Sequence, residues 1–376
     1  MTDLQRTLIE QLGEQCVSLD AGVLDAHAGD WSDAEKRRPE LVLMPRTPNE
    51  VAKALGVLSK LRQKVVVQGG LTGLAGGATP QAGEVAVSLA RMNAIEEFDR
   101  VGGTITVQAG LALEQLQTHV EAEGWLFPLD LGARGSCQIG GNAATNAGGN
   151  RVVRFGVMRD LILGMEVALA DGTVLTMMNK VTKNTTGIDL KQLFIGSEGI
   201  LGVITRLVLK LEPKPTVSNT ALCALGSFDA ATRLLKELRR RLPALSSFDV
   251  GLPMIAMGRF VTTMKEALTS RFPDQTHLFF GHLGDGNLHL LSGPYAEAGA
   301  MHEVERLVYE EVRAASGCIS AEHGIGVVKR EFLHLSRSPA ETDLMLKLKA
   351  LLDPCGILNG ARVVSEPAVE SSAGNI

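Results

Sequence analysis

Apolar side chains recur three and four residues apart across residues 48–62, which predicts an amphipathic helix with Asn49 as its cap. The β-branched run Lys64-Val65-Val66-Val67 follows and predicts a buried strand, leading directly into the glycine-rich stretch from Gln68 to Gly77. The local order is therefore helix, strand, glycine loop. Residues 85–89 and 104–109 read as further strands, the second with clear alternation, and residues 113–123 read as a helix ending at Gly124. Residues 164–169 and 174–177 flank Asp171-Gly172 and predict a hairpin. Pro213 and Pro215 punctuate a change of pattern, after which residues 229–242 and 301–315 predict helices, so a domain boundary falls near residue 215. No fixed-period repeat is present, and the Ser-, Glu- and Ala-rich tail beyond Val364 is expected to be disordered.

Composition narrows the function classes. A chain of 376 residues with 45% apolar content can bury a large core, in two or three domains. The net charge of −5, without a basic stripe, argues against nucleic acid or acidic lipid as a partner. Five cysteines (Cys16, Cys137, Cys223, Cys318, Cys355) form no CxxC pair, which speaks against an iron–sulfur cluster or a disulfide framework and for a reducing compartment. Residues 1–13 carry Asp3, Arg6 and Glu10 and so lack the apolar run of a signal peptide, and no stretch approaches the ~20 apolar residues that span a bilayer. The expectation is a cytoplasmic protein, with peripheral membrane contact left open.

The 41 glycines are clustered, which marks sites where backbone must bend or come close to something. A pyrophosphate needs several main-chain N–H groups converging on one anion, and Gly69, Gly70, Gly73, Gly76 and Gly77 meet that need directly after a strand. Their spacing is not GxGxxG and no long helix pattern follows, so a nicotinamide-dependent dehydrogenase lacks its motif. Any one of these glycines alone reads as a tight turn.

A second cluster, Gly132-Ala133-Arg134-Gly135-Ser136-Cys137-Gln138-Ile139-Gly140-Gly141-Asn142, continues through Thr145, Ala147, Gly148 and Gly149, and a third runs Gly196-Ser197-Glu198-Gly199-Ile200-Leu201-Gly202-Val203-Ile204-Thr205. Together the three clusters resemble the FAD-binding domain of vanillyl-alcohol oxidase type flavoproteins, in the D-lactate, glycolate and D-2-hydroxyglutarate dehydrogenase branch. The resemblance covers nearly the whole chain, through three FAD motifs and two later ones. It implies an α+β fold: a two-subdomain FAD-binding domain over residues 1–215, a reduced α+β substrate (cap) domain over 216–350, a C-terminal segment over 351–364 returning to the flavin, and a tail over 365–376. It further implies that Gly69, Gly70, Leu71, Thr72, Gly73 and Leu74 hold the pyrophosphate. Ser136, Gly140, Gly141, Asn142, Thr145, Ala147 and Gly148 would line pyrophosphate and isoalloxazine, and Gly202, Val203 and Ile204 the adenine end. The first loop holds no histidine, so the FAD is expected to be non-covalent.

The stretch Gly281-His282-Leu283-Gly284-Asp285-Gly286-Asn287-Leu288-His289 carries a histidine on each side of a Gly-Asp-Gly turn. On one straight strand the two would face opposite sides, whereas a turn brings them to one face. Two imidazoles and a carboxylate suit a Zn²⁺-like ion with room for substrate, and Glu322 can supply the carboxylate. The resemblance implies His282, His289 and Glu322 as divalent-metal ligands and His323 as the base, with Asp285 and Asn287 shaping the turn. His323 precedes Gly324 and a predicted helix over 327–335, whose dipole would favour a neutral imidazole. Such an imidazole accepts the hydroxyl proton of a 2-hydroxy acid while the C2 hydride passes to flavin N5, and the metal lowers the hydroxyl pKa and binds the carboxylate. His27, His119, His277, His302 and His334 read as surface or packing residues. Asn359 is placed against FAD by the resemblance, although the usual Asn-Pro-Gly-Lys or Arg is here Asn359-Gly360-Ala361-Arg362.

Two departures matter. Members of the branch carry a longer substrate domain between the helix over 229–242 and the segment Asp249-Val250-Gly251-Leu252-Pro253, and Leu291 stands where relatives for hydroxyglutarate-like acids tend to have asparagine. The chain is thus either an active dehydrogenase of a small D-2-hydroxy acid, its cap completed by a second subunit of a homodimer, or a shortened paralogue or aberrant product that binds FAD with little or no turnover. The electron acceptor is a quinone, a cytochrome or an electron-transfer flavoprotein.

Overall fold

Thr47, rather than Asn49, opens the first long helix: its Oγ1 accepts the Glu50 N–H at 3.2 Å. Pro48 then takes the first helical position, where a missing N–H costs nothing. The helix Pro48–Lys60 buries Val51, Ala54, Leu55 and Leu58 along one face. The computed structural model describes residues 2–181, 186–216, 246–282, 286–295 and 298–364. The helix expected over 229–242, the turn residues 283–285 and the tail beyond Val364 lie outside the described residues.

The chain divides into two units, the first of Met1–Lys214, Glu322–Leu333 and Ser338–Ile376, the second of Pro215–Ala321 and His334–Arg337. In the first unit β1 (Val17–Ser18), β2 (Val42–Leu43), β3 (Val65–Gln68) and β4 (Val85–Ser88) form a sheet of order β1-β2-β4-β3. The pairings β2–β4 and β3–β4 are parallel. β4 is buried at all four positions, as a parallel strand covered on both faces should be. A second, antiparallel sheet holds β5 (Ile95–Asp99), β6 (Thr104–Gln108), β8 (Ile162–Ala168), β9 (Val174–Met177) and β10 (Val203–Lys210) in the order β5-β6-β10-β8-β9, while β7 (Trp125–Leu126) pairs with β11 (Glu212–Pro213). The β8–β9 hairpin turns at Asp171-Gly172, where Gly172 has φ 89° and Asp171 Oδ1 accepts the Thr173 N–H. These two sheets give the first unit two subdomains.

The C-terminal segment returns to the first sheet. Val65 donates its N–H to Ile357 at 2.7 Å and accepts the Asn359 N–H at 3.0 Å, so the segment runs beside β3. Its arrival is fixed by buried charge: Asp353 accepts Lys349 Nζ and the N–H groups of Ile357 and Leu358. Arg362, 1% exposed, forks onto both oxygens of Glu84 at 3.1 and 2.9 Å and onto the Thr79 carbonyl at 2.6 Å.

In the second unit β12 (Ser246–Gly251), β13 (Thr276–His282) and β14 (Asn287–Gly293) form an antiparallel sheet of order β12-β14-β13. The helix Met254–Arg271 buries Phe260, Met264 and Leu268, and the helix Ala298–Ala314 buries Val304, Val308 and Val312 at four-residue spacing. The helix expected over 327–335 does not form. Gly324 and Gly326 adopt φ 78° and 51°, and only Arg330–Leu335 coils, as a 3₁₀ helix. Among the described residues no helix is long and apolar enough to cross a membrane.

Candidate active site

Gln68 ends β3 fully buried, and its Nε2 donates to the carbonyls of His27 and Ala78. That single amide ties the two arms of the glycine loop together. Asp30, 1% exposed, completes the frame: its carboxylate accepts the Ala78 N–H, Thr79 Oγ1 and Ser32 Oγ. The loop in turn packs on the second glycine cluster, since a Cβ at Gly70 would stand 2.0 Å from the Ser136 carbonyl oxygen. Only glycine permits that approach.

Between the two clusters lies a cavity of about 340 Å³, within the ~300–1,000 Å³ usual for ligand clefts. Of the sequence-derived cofactor residues, Gly69, Gly70, Leu71, Thr72, Gly73 and Leu74 line it from one side. Gly141, Asn142, Thr145, Ala147 and Gly148 line it from the other, together with Asn359. Ser136, Gly140, Gly202, Val203 and Ile204 are not in the lining. Ser136 presents its carbonyl to Gly70, Gly140 packs against Ala109, and Gly202 packs against Val167, where a Cβ would meet Cγ1 at 2.6 Å. Val203 and Ile204 are buried in β10.

Glu322 and His323 also line this cavity. Glu198 does too, a residue that sequence reasoning passed over although it stands inside the third motif. Glu198 is half-buried, and its carboxylate accepts the N–H groups of Ile325 and Gly326 at 2.8 and 3.0 Å. Burial pushes its pKa up, opposed by those two hydrogen bonds and by the charge of Lys329. After Gly324 the chain makes a turn, with Gly326 at φ 51°, held by these two bonds and by the Ala75 carbonyl, which takes the Val327 N–H at 3.0 Å. The helix dipole expected behind His323 is therefore replaced by a turn.

The cavity wall suits a flavin nucleotide. A Cβ at Gly141 would meet nothing within 4 Å, and at Gly73 only an Asp30 oxygen at 3.6 Å, so bare backbone faces open space. Gln138 Oε1, buried in the lining, has no hydrogen-bond partner among the described residues. FAD carries N–H and O–H donors for such an acceptor and a pyrophosphate for bare N–H groups.

In the second unit, the register pairs Phe280 with His289 and His282 with Asn287, which puts positions 282 and 289 on one face of the β13–β14 hairpin. Asp249 on β12 lies opposite His289, with Oδ1 3.9 Å from Nδ1, and the side chain of Asp249 is 3% exposed. Asp249 was not singled out from the sequence. Its only signal there is a carboxylate inside the strand-like run Phe248-Asp249-Val250. An imidazole nitrogen and a carboxylate oxygen 3.9 Å apart form a donor pair that one ion with ~2.0–2.1 Å bonds can bridge.

Comparison with known proteins gives these sites a family. Residues 39–178 match the family described as FAD binding domain, and residues 230–363 match FAD linked oxidases, C-terminal domain. The fold and cavity are thus those of an FAD-linked oxidoreductase. The chain is 36% identical to the mitochondrial D-2-hydroxyglutarate dehydrogenase of Bos taurus, covering 88% of this chain and 78% of the bovine protein. It is 31% identical to D-2-hydroxyglutarate dehydrogenase of Xanthomonas citri pv. viticola, covering 90% and 92%. This chain belongs to the family of FAD-linked D-2-hydroxy acid dehydrogenases. An alkyldihydroxyacetonephosphate synthase structure shares the fold, with a TM-score of 0.71 at 14% identity over 94% of this chain and 85% of that one. The bovine alignment runs over 425 positions yet uses 88% of 376 residues, about 331, so about 94 positions of it have no counterpart here.

Proposed function

We propose that this chain is an FAD-dependent dehydrogenase that oxidises a small D-2-hydroxy acid, of the D-lactate, glycolate or D-2-hydroxyglutarate type, to its 2-oxo acid. The observation that carries the reading is that Glu322 and His323 line the same cavity as the glycine loop Gly69–Ala75. FAD, held without a covalent bond, supplies a hydride acceptor at N5. His323 takes the hydroxyl proton; the electron pair of the O–H bond closes the carbonyl, and that of the C2–H bond leaves with its hydrogen. The glycine loop Gly69–Ala75 and the wall at Gly141 would hold the cofactor.

A divalent metal, Zn²⁺ in this reading, is assigned to His282, His289 and Glu322, and Asp249 joins the proposal through its place beside His289. When bound, the metal supplies a Lewis acid for the substrate hydroxyl and carboxylate. The electron acceptor is a quinone, a cytochrome or an electron-transfer flavoprotein, and the protein is a homodimer in the cytoplasm, in peripheral contact with the membrane at most. The bovine relative is named as mitochondrial, whereas the Xanthomonas name carries no compartment.

The shortfall of about 94 positions against the bovine relative supports a second reading, a shortened paralogue that binds FAD with little or no turnover. Anaerobic mixing of the FAD- and metal-reconstituted protein with D- and L-2-hydroxy acids separates the two. Bleaching of the flavin by a D-acid is expected. No bleaching by any acid, with FAD bound, overturns the active-enzyme reading. His323→Ala is expected to slow bleaching by about 10²–10⁴-fold with FAD retained, and a rate equal to wild type removes His323 from the base role.

A further inference from the structure

We infer that Glu198 is a positioning residue, anchoring the turn that carries Glu322 and His323 to the flavin-domain loop Gly196–Gly199. Its catalytic consequence rests on the dehydrogenase reading above, while the anchor itself stands on hydrogen bonds within the first unit. One carboxylate oxygen accepts the Ile325 N–H at 2.8 Å and the other the Gly326 N–H at 3.0 Å, so both oxygens are committed to the turn. Ile325 is two residues beyond His323.

The fit leaves no slack. A Cβ on Gly324, at φ 78°, would stand 2.6 Å from a Glu198 oxygen, and one on Gly326 would stand 2.1 Å from the Ala75 carbonyl oxygen. The Val327 N–H donates to that carbonyl at 3.0 Å, so the turn is gripped between Glu198 and the glycine loop. Glu198 is itself held. It adopts φ 53° between Gly196 and Gly199, at 81° and 76°. Its carbonyl accepts Asn359 Nδ2 at 2.7 Å, and Asn359 Oδ1 accepts the Val67 N–H at 2.8 Å. A continuous chain of hydrogen bonds thus runs from β3 through Asn359 and Glu198 to the turn beside His323.

Two converging N–H donors need two acceptors on one side chain. A carboxylate offers both, whereas the Gln amide offers one oxygen and turns its NH₂ toward an N–H. A side chain that merely fills space would be replaced by Gln without loss, and a positioning residue would not.

The test uses the full-length holoprotein as wild type, Glu198→Gln and Glu198→Ala. It reads bound FAD, amide hydrogen exchange at Ile325 and Gly326, and anaerobic flavin reduction by a D-2-hydroxy acid across concentrations. Both variants are expected to keep FAD. Exchange at the two amides should accelerate at least about 10-fold in Glu198→Ala and less in Glu198→Gln. The limiting reduction rate should fall about 100-fold in Glu198→Ala, as misplacement of a reacting group does, with Glu198→Gln intermediate and half-saturation nearly constant. Amides as protected as in wild type, or an unchanged limiting rate, overturn the proposal; if Glu198→Ala fails to fold, Glu198→Gln decides by the same readings. His323→Ala in parallel keeps the two ideas apart: wild-type reduction in that variant removes the base, while exchange at Ile325 and Gly326 still judges the anchor. If no acid reduces the wild type, exchange alone decides.

Discussion

Gly70 and Gly141 both line the cavity and are glycine for different reasons. Gly70 is a packing glycine, because a Cβ would stand 2.0 Å from the Ser136 carbonyl oxygen, part of the backbone. Gly141, in the helix Ile139–Ala144, keeps open space in front of it. Gly70→Ala should therefore lower the stability of the apoprotein by about 1–3 kcal/mol, the usual cost of overpacking. Gly141→Ala should leave apoprotein stability unchanged or raise it by about 0.5 kcal/mol, since alanine is the better helix former. It should nevertheless weaken FAD binding, because its methyl group enters the space left for the cofactor. Denaturation of both apoproteins and titration with FAD check the pair. Wild-type FAD affinity in Gly141→Ala would show that this wall does not face the cofactor.

The C-terminal segment shows how an element can keep its course with an ill-suited residue. The family pattern of Asn-Pro-Gly is here Asn359-Gly360-Ala361, and Ala361 sits at φ 56°, in the left-handed region where alanine costs about 1 kcal/mol more than glycine. The buried pairs Arg362–Glu84 and Lys349–Asp353 hold the segment in place and impose that conformation. Ala361→Gly is expected to raise stability by about 0.5–1 kcal/mol, read as a higher denaturant midpoint with an unchanged slope, and a lower midpoint would contradict it. The same scale separates what was legible in the sequence from what was not. β3 and its glycine loop, and the β8–β9 hairpin at Asp171-Gly172, carry local signals of period and turn chemistry, and they stand where those signals put them. The helix over 327–335 does not form, and the turn in its place, with Gly326 at φ 51°, is tied to Glu198 and Ala75, partners far away in the chain. Asp249 went unnoticed for a related reason: its meaning lies in the register that sets it against His289, and strand pairing leaves no local trace.

At the scale of the whole molecule, the cavity lies in one unit and two of the candidate metal-binding side chains lie in the other. The cavity, its glycines, Glu198 and His323 all belong to the first unit, whereas Asp249 and His289 belong to the second. Holding FAD should then be insensitive to changes at His289 and Asp249, and flavin reduction should not. Dialysis against a chelator is expected to leave bound FAD and its visible spectrum intact while slowing anaerobic reduction by a D-2-hydroxy acid at least about 10-fold, with Zn²⁺ or Mn²⁺ restoring the rate. Asp249→Ala should weaken the metal by about 10–100-fold, because a carboxylate beside a ligating imidazole fixes its orientation or adds a bond of its own. The rate at limiting metal should fall accordingly and recover at high metal. This pair of measurements also asks whether the second unit takes part in the chemistry. If chelation and Asp249→Ala both leave the rate untouched, the second unit contributes no metal to the reaction. If instead the FAD is lost along with the rate, holding the cofactor is not a property of the first unit by itself.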